Sequence, residues 1–185
     1  MKHKLLAILG AAVLTAAGLA YFVKSGDSRD AGGPYYGIYY GKVAPDFTLS
    51  DPEGNPVSIG SFKGKDVLLS FGYTSCPDIC PTTLMQLNSV TQKLGGKESQ
   101  DLQVVFVTID PGRDTPERLQ EYIPYFNESF IGLTGSPDEI KKAADAYSVF
   151  YEREKRGDEG SVYFMNHTQT LFLFDKNVGP WSYHW

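Results

Sequence analysis

The hydrophobic pattern of the chain shows two apolar runs in its middle, at residues 67–71 and 104–109, and a shorter one at 130–133. The two longer runs consist mainly of Val, Leu, Ile and Phe, and more polar segments bound them on both sides. Such runs are typical of strands that are buried on both faces of a parallel sheet. The pattern therefore predicts a central sheet that includes these three segments.

Segments with helical spacing of apolar residues alternate with these runs. The first is 81–94, whose predicted apolar side contains Leu84, Leu87, Val90 and Leu94. Helix-start signals follow at 114–117, which has a proline near the first turn, and at 136–139, which is a capping box. Their apolar stripes are Leu119, Tyr122, Ile123 and Phe126 in one helix, and Ile140, Ala143, Ala144 and Tyr147 in the other. Strands that alternate with helices predict an α/β fold with a mainly parallel central sheet flanked by helices.

Shorter strands are predicted before and after this core. Each is a brief apolar or alternating segment next to turn residues. These strands are 46–49, 57–59, 162–164 and 170–174. The last two lie on either side of His167, and the charged segment 152–160 before them is predicted to be a solvated loop.

The N-terminus has a different character. Lys2 and Lys4 precede an uncharged apolar stretch, 5–23, which is long enough to span a bilayer. We expect residues 1–23 to be a retained membrane anchor, with a cleaved signal segment as the alternative. The lysines predict a cytoplasmic N-terminus and place the rest of the chain outside the inner membrane in a single-pass arrangement. Residues 24–42 are polar and glycine-rich and are interpreted as a flexible linker, which leaves 43–185 as the folded domain.

Composition narrows the choice of function. The chain has 185 residues and a formal net charge of -5, with no basic stripe. A length of this order fits one domain with a substantial core, and the charge pattern excludes a typical nucleic-acid-binding protein.

The cysteines carry the candidate chemistry, because Cys76 and Cys80 are the only two in the chain. Pro81 follows Cys80 and suits the first position of a helix, so Cys80 is predicted at or near an N-cap with a thiol pKa below that of a free cysteine. Three interpretations are open: a local disulfide or inert thiols, a redox dithiol, and a metal site. An exported domain permits any of them.

A metal site needs a further ligand. Among the three histidines, His3 lies before the anchor and His184 is the penultimate residue, so His167 is the best candidate. Two thiolates and one imidazole resemble a copper site more than a closed structural zinc site, which has four protein ligands. Met85 and Met165 could add weak ligands, although core packing is the favoured role of both.

These residues stand in motifs that resemble those of the Sco/SenC family of copper chaperones for cytochrome c oxidase assembly. The motifs are Val43–Phe47, Cys76–Pro81, Ile109–Pro116 and His167–Thr168. The resemblance implies a thioredoxin-like fold, a membrane anchor, and copper bound by Cys76, Cys80 and His167. It also implies delivery of copper to the dinuclear copper site of oxidase subunit II, or reduction of that subunit's cysteines, with an upstream copper donor or thiol reductant as a further partner.

Other positions of the motifs have expected roles. Asp110 matches an acidic position that the family places near the site, and we interpret it as a second-shell or partner-docking residue, with a strand-end turn as the alternative. Asp114 and Thr115 are interpreted as helix caps. Asn166 departs from the acidic residue that many members carry before the histidine. The segment 178–185 also departs from the family, whose members continue through another strand and a C-terminal helix, so we expect that helix to be missing and one sheet face to be less well covered.

An enzyme is the second hypothesis: a membrane-tethered thiol–disulfide reductase or a peroxiredoxin-like protein on the same fold. A thioredoxin-type reductase would usually have two residues between its cysteines, whereas here there are three. Peroxiredoxins place a threonine three residues before the reactive cysteine, and Tyr73 stands at that position. The sequence therefore favours a metallochaperone over an enzyme.

Overall fold

The computed structural model describes residues 39–43, 45–155, 163–176 and 182–184. The strands in these ranges are β1 (Tyr39–Val43), β2 (Thr48–Ser50), β3 (Pro56–Ser58), β4 (Asp66–Gly72), β5 (Leu102–Thr108), β6 (Ile131–Leu133), β7 (Tyr151–Lys155), β8 (Tyr163–His167), β9 (Leu171–Phe174) and β10 (Ser182–His184). The helices are α1 (Ile79–Leu94), α2 (Gly96–Gln100), α3 (Pro116–Tyr122) and α4 (Pro137–Ala146), with a 3₁₀ turn at Ile59–Phe62.

The central sheet has six strands in the order β1-β10-β9-β4-β5-β6. The predicted parallel core is confirmed for β4, β5 and β6. The expectation of a mainly parallel sheet is wrong, because β4–β9, β9–β10 and β10–β1 all pair antiparallel. Only a short connection, 168–170, joins β8 to β9. The chain therefore enters β9 directly from the β7–β8 hairpin, without a crossover helix, and β9 lies beside β4 in the opposite direction.

The core lies on both sides of this sheet. Strand side chains such as Val67, Leu69 and Phe172 are fully buried. The predicted stripes of α3 and α4 are confirmed at Leu119 and Ile140, which are also fully buried. Burying these apolar surfaces is the main favourable term that holds the helices against the sheet.

The apolar side of α1 differs from the prediction. Leu84 and Leu87 are buried as expected, but Val90 and Leu94 are 43% and 45% exposed. The buried stripe instead continues through Thr91, whose hydroxyl donates to the carbonyl of Leu87. This internal hydrogen bond satisfies the hydroxyl, so a polar residue can occupy a buried position.

The helix starts are partly as predicted. The capping box of α4 at Ser136 and Glu139 is confirmed, and Thr115 is the N-cap of α3. Helix α1, however, begins at Ile79 with Asp78 as its N-cap. Cys80 is therefore near the N-cap, as predicted, but not at it, because Cys80 is the second helical residue and Pro81 the third. A proline is tolerated there since the amides of the first turn have no intrahelical acceptor.

Two small antiparallel sheets complete the described fold. The predicted hairpin of β2 and β3 is confirmed. The prediction of a solvated loop at 152–160 is wrong for its first part, because 151–155 form β7, which pairs with β8. The rest of that loop lies outside the described residues. In this β7–β8 hairpin, His167 is the last residue of β8 and not a residue between two strands.

The N-terminal predictions can be compared with the structure only in part. Strand β1 pairs with β10 and includes residues 39–42, so these four residues belong to the sheet and not to the predicted linker. The expected anchor, 1–23, lies outside the described residues. Within the part of the chain that the structure describes, no helix is both long and apolar enough to cross a membrane. Within the segment 178–185, which departs from the family pattern, residues 182–184 form β10, and the other residues of the segment lie outside the described ranges.

Candidate metal centre

The two cysteines lie on the connection from the carboxyl end of β4 into α1. The Cys76 amide donates to the carbonyl of Tyr73, which forms a turn directly after the strand. Cys80 follows one helical turn later and is 4% exposed, whereas Cys76 is half-buried. Both are free thiols. One sulfur is therefore part of the core and the other is accessible from outside.

Gly72 makes room for the buried sulfur. A Cβ atom at this position would lie 2.8 Å from Cys80 Sγ and 2.8 Å from a ring carbon of Phe106. Both distances are shorter than real Cβ contacts, so any side chain larger than hydrogen would displace the thiol or the ring. The glycine at the end of β4 thus permits Cys80 to pack directly on the strand.

His167 lies against Cys80, although the two residues are 87 positions apart. Its Nε2 atom is 3.7 Å from Cys80 Sγ, and its Nδ1 atom is 2.9 Å from the carbonyl oxygen of Thr168. A carbonyl can only accept, so Nδ1 carries the proton and Nε2 has a free lone pair. The backbone therefore sets the tautomer that directs a donor atom toward the sulfur, as is usual for a metal-binding histidine.

The spacing of these two donors fits a shared metal ion. Bonds of about 2.3 Å to sulfur and about 2.0 Å to nitrogen, the lengths known for zinc, span 3.7 Å when they meet at about 120°. Among the described residues, no three His, Cys, Asp or Glu side chains are already grouped as a metal site. Cys76 is the third expected donor, and its half-buried sulfur lies 3.4 Å from the amide nitrogen of Cys80.

The helix end interacts with Cys76 and not with Cys80. The amide of Cys80 donates to Cys76 Sγ at 3.4 Å. Burial raises the pKa of the Cys80 thiol from 9.0 to about 12, against a backbone hydrogen bond at Tyr73 that lowers it, and the neighbouring Cys76 adds a further increase. The predicted low pKa of Cys80 is therefore wrong, because the loss of hydration outweighs the helix N-terminus. Without metal, Cys80 is a neutral thiol at physiological pH.

The ring of Tyr73 packs against the imidazole of His167. Its ring lies edge-on to the His167 ring, with centroids 6.1 Å apart, and its side chain is 2% exposed. Burial also raises the pKa of Tyr73 above its ordinary value. A buried, neutral aromatic ring thus lies against the imidazole and excludes water from that side of it.

Asp110 lies beside this centre in a buried position. Its carboxylate accepts hydrogen bonds from Arg113 Nε and from the Tyr163 hydroxyl at 2.8 Å. Both partners belong to this chain and the residue is 6% exposed, so the carboxylate is engaged inside the fold, and a role of Asp110 next to the metal stays a prediction. The expected turn is also present, since the amides of Arg113 and Asp114 donate to the Asp110 carbonyl.

Asp114 has a role that the sequence did not reveal. It was expected to cap α3, but only Thr115 does so. The Asp114 carboxylate is fully buried and accepts from the Thr74 amide at 2.9 Å, the Thr74 hydroxyl at 2.7 Å and the Thr108 hydroxyl at 2.6 Å. It thereby ties the loop before Cys76 to β5. The adjacent Asp-Thr pair was an available signal, because one N-cap position cannot use both side chains.

The two methionines differ in their surroundings. Met165 packs against the core from β8, which confirms the favoured packing role for this residue. Met85 is 53% exposed on α1, so the prediction that it packs in the core is wrong. Asn166, which stands in place of the acidic residue expected before the histidine, is exposed.

Taken together, these elements define a class of protein. A sheet with parallel β4–β6 and antiparallel β9, a dithiol turn entering α1, and a histidine returning beside it describe a thioredoxin-like domain with a thiol–imidazole centre. Solved structures with the same architecture confirm the fold class. The chain belongs to the SCO1/SenC family, whose model matches residues 39–183.

Individual relatives agree with this assignment. An SCO2-like protein of Rickettsia conorii is 42% identical over 136 residues, which are 74% of this chain and 66% of the relative. The structure of Bradyrhizobium japonicum ScoI with copper bound is 36% identical with a TM-score of 0.68, covering 76% of this chain and 87% of that one. The apo Sco1 of Thermus thermophilus is 40% identical with a TM-score of 0.72, covering 84% and 88%. The match to the Rickettsia relative thus spans just under two thirds of its length.

Proposed function

We propose that this protein binds copper through Cys76, Cys80 and His167 and acts as a copper-delivery factor in cytochrome c oxidase assembly. Family membership supports the general role, because relatives of similar sequence have been solved with copper bound. The observation on this chain that carries the proposal is the 3.7 Å approach of His167 Nε2 to Cys80 Sγ. No other described pair combines a thiol with a correctly tautomerised imidazole.

The donor set fits copper as cargo. Two sulfur atoms favour the cuprous ion, and one imidazole makes the cupric ion tolerable, so neither oxidation state is excluded by the ligands. Cys80 and His167 are held by the fold, whereas Cys76 is half-buried on the connecting turn. A partner's ligand can therefore approach the metal on the side of Cys76 while the two fixed donors still hold it.

Because Cys80 is a neutral thiol without metal, binding of copper at this site also involves a proton. Because burial raises its pKa to about 12, the thiol must lose its proton when the metal binds. Release of the metal then returns a proton to the sulfur. Loading with copper therefore releases the proton of Cys80 Sγ, and unloading takes a proton up again at the same atom.

The proposal includes a partner and a location. The partner is oxidase subunit II, whose dinuclear copper site would receive the metal or whose cysteines would be reduced before loading. The apolar stretch 5–23 would hold the chain in the inner membrane, with the folded domain on the extracytoplasmic side. The support for this arrangement is the sequence pattern and the family resemblance.

Copper titration of the purified, reduced full chain tests the proposal. We expect one tightly bound ion per chain and, in the cupric form, a sulfur-to-copper charge-transfer band. The variant His167→Ala should lose or strongly alter this band, because it removes the only nitrogen donor of the set. His3→Ala is the matched control, since it removes a histidine that the site does not use, and its band should equal that of the wild type.

The thiol–disulfide enzyme makes the opposite prediction. If His167→Ala binds copper like the wild type while the dithiol exchanges rapidly with disulfide substrates, the redox function replaces copper delivery. In such an exchange Cys76 would be the attacking thiol, because it is the more accessible of the two sulfurs and accepts a hydrogen bond from the Cys80 amide.

A further inference from the structure

The β7–β8 hairpin, which carries His167, is not part of the central sheet. Strands β7 and β8 pair with each other and form a separate two-stranded sheet. A two-stranded ribbon has little stability of its own. The position of the histidine therefore depends on the side-chain contacts that fasten this hairpin to the rest of the domain.

Two arginines enclose the first residue of β8. The guanidinium carbon of Arg113 is 3.6 Å from the centroid of the Tyr163 ring, and that of Arg153 is 3.5 Å from the same centroid. Two such groups cannot occupy one face at these distances, so they lie on opposite faces. Arg153 belongs to the hairpin itself, whereas Arg113 comes from the loop after β5. Of the two arginine contacts, therefore, only that of Arg113 joins the hairpin to the main body.

Arg113 holds this position with several kinds of interaction at once. Its Nη1 donates to the backbone carbonyl of Tyr163 at 3.0 Å, and its Nε donates to the Asp110 carboxylate. The Tyr163 hydroxyl donates to the other oxygen of Asp110. The same guanidinium carbon is 5.6 Å from the centroid of the Tyr73 ring, which in turn meets His167. Arg113 thus links the start of β8 with Tyr73, the residue that packs against His167.

This geometry requires the shape of arginine and not only its charge. A planar guanidinium can stack on a ring while it donates in two directions within its plane, and the compact ammonium of lysine cannot. The charge is balanced, because Asp110 is the ion-pair partner of Arg113. An Arg113→Lys substitution would keep that charge and lose both the stack and the bond to the β8 backbone.

We propose that Arg113 is a positioning residue that pins the start of β8 through Tyr163 and thereby keeps His167 Nε2 against Cys80. This inference rests on the proposed copper function. It extends that function by naming a residue outside the donor set that controls how firmly copper is held. Weakening this contact would let the hairpin, and the histidine with it, leave the metal.

The test compares Arg113→Lys with Arg153→Lys in the full chain. Both variants replace an arginine on the same ring, but only the first breaks the attachment to the main body. The first readout needs no copper: amide hydrogen exchange of the metal-free protein. In Arg113→Lys we expect exchange in 164–167 to accelerate about tenfold or more, the factor for one lost charge-assisted hydrogen bond, with no change in β4 and β5. Arg153→Lys should keep the wild-type exchange pattern in those residues.

The second readout is copper itself, added as the cupric ion. Arg113→Lys should show a shifted or weakened sulfur-to-copper band and release copper to a chelator about tenfold faster, whereas Arg153→Lys should match the wild type. Unchanged exchange in 164–167, or unchanged copper release despite faster exchange, would overturn the positioning role. Equal effects of the two substitutions would overturn it as well. Absence of a copper band from the wild type would instead refute the proposed function, while the exchange data would still report whether Arg113 pins the hairpin.

Discussion

Replacement of Asp114 tests whether a buried carboxylate organises the loop that leads to Cys76. Asp114→Ala removes both oxygens, and Asp114→Asn keeps the shape but replaces one oxygen with an amino group. In the native protein these oxygens accept from the Thr74 amide, the Thr74 hydroxyl and the Thr108 hydroxyl. The side chain is fully buried, so water cannot readily replace it.

The expected cost follows from the number of donors left without an acceptor. An unsatisfied buried donor costs about 1–3 kcal/mol, and Asp114→Ala leaves three. The substitution also removes the cost of burying a charge, which places the net loss of unfolding free energy at about 3–5 kcal/mol. Asp114→Asn can keep the two bonds that share one oxygen and turn its amino group toward the Thr74 hydroxyl, so about 1–2 kcal/mol is expected.

Urea unfolding of the reduced, metal-free protein, followed by far-UV circular dichroism, measures these losses. Asp145→Asn is the matched control, because it removes an exposed carboxylate whose ion pair with Lys141 is 2.7 Å long. Exposed pairs of this kind contribute about 0.3–0.5 kcal/mol. If Asp114→Ala lowers the unfolding free energy by no more than Asp145→Asn does, the carboxylate does not organise the loop and this reasoning is wrong.

Three further predictions concern the buried thiol. Gly72→Ala should cost about 1–3 kcal/mol of stability and alter the cupric spectrum, because the new methyl group would displace Cys80 Sγ; an unchanged spectrum would show that the sulfur has room. Copper affinity, measured by chelator competition, should rise at least about tenfold per pH unit from pH 6 to 8, because Cys80 has a pKa of about 12 and must lose its proton; a flat profile would contradict this. Burial raises the pKa of Cys80, so the contribution of this thiol to stability is complete below pH 9 and is lost as the pH rises toward 12. The unfolding free energy of the metal-free protein should therefore fall between pH 9 and 12, and Cys80→Ala should not show the part of this fall that the thiol causes.

Local signals in the sequence predicted local structure well. The helix α4 begins where Ser136 and Glu139 form a capping box, and its apolar stripe at Ile140 is buried. The strands β4 and β5 are parallel neighbours, as their continuous apolar runs indicated. In each case the determining residues lie within one element, so the pattern of that element is sufficient.

Features that depend on distant partners were not predictable in the same way. Strand β7 reads Tyr-Glu-Arg-Glu-Lys, and it forms because it pairs with β8. The direction of β9 is set by its packing beside β4, and its own apolar run does not indicate a direction. The start of α1 lies two residues before the predicted one, because a proline is tolerated within the first helical turn and does not have to be its first residue.

The candidate site was predictable in its chemistry and not in its supporting contacts. Residue types alone identified Cys76, Cys80 and His167, and the fold brings the last two together. Their environment could not be derived from spacing: the burial that keeps Cys80 protonated and the Arg113–Tyr163 contact across 50 positions both arise from tertiary packing. The role of Asp114 was not predicted, because an aspartate before a helix is an equally good candidate for an N-cap and for a buried hydrogen-bond acceptor.

X-ray absorption at the copper edge of the loaded, reduced protein tests the central claim most directly, because it counts the sulfur and nitrogen neighbours of the ion. The account predicts two sulfur donors and one imidazole nitrogen, with the nitrogen lost in His167→Ala and retained in His3→Ala. A copper ion with no imidazole neighbour in the wild type, or an unchanged spectrum in His167→Ala, would contradict it.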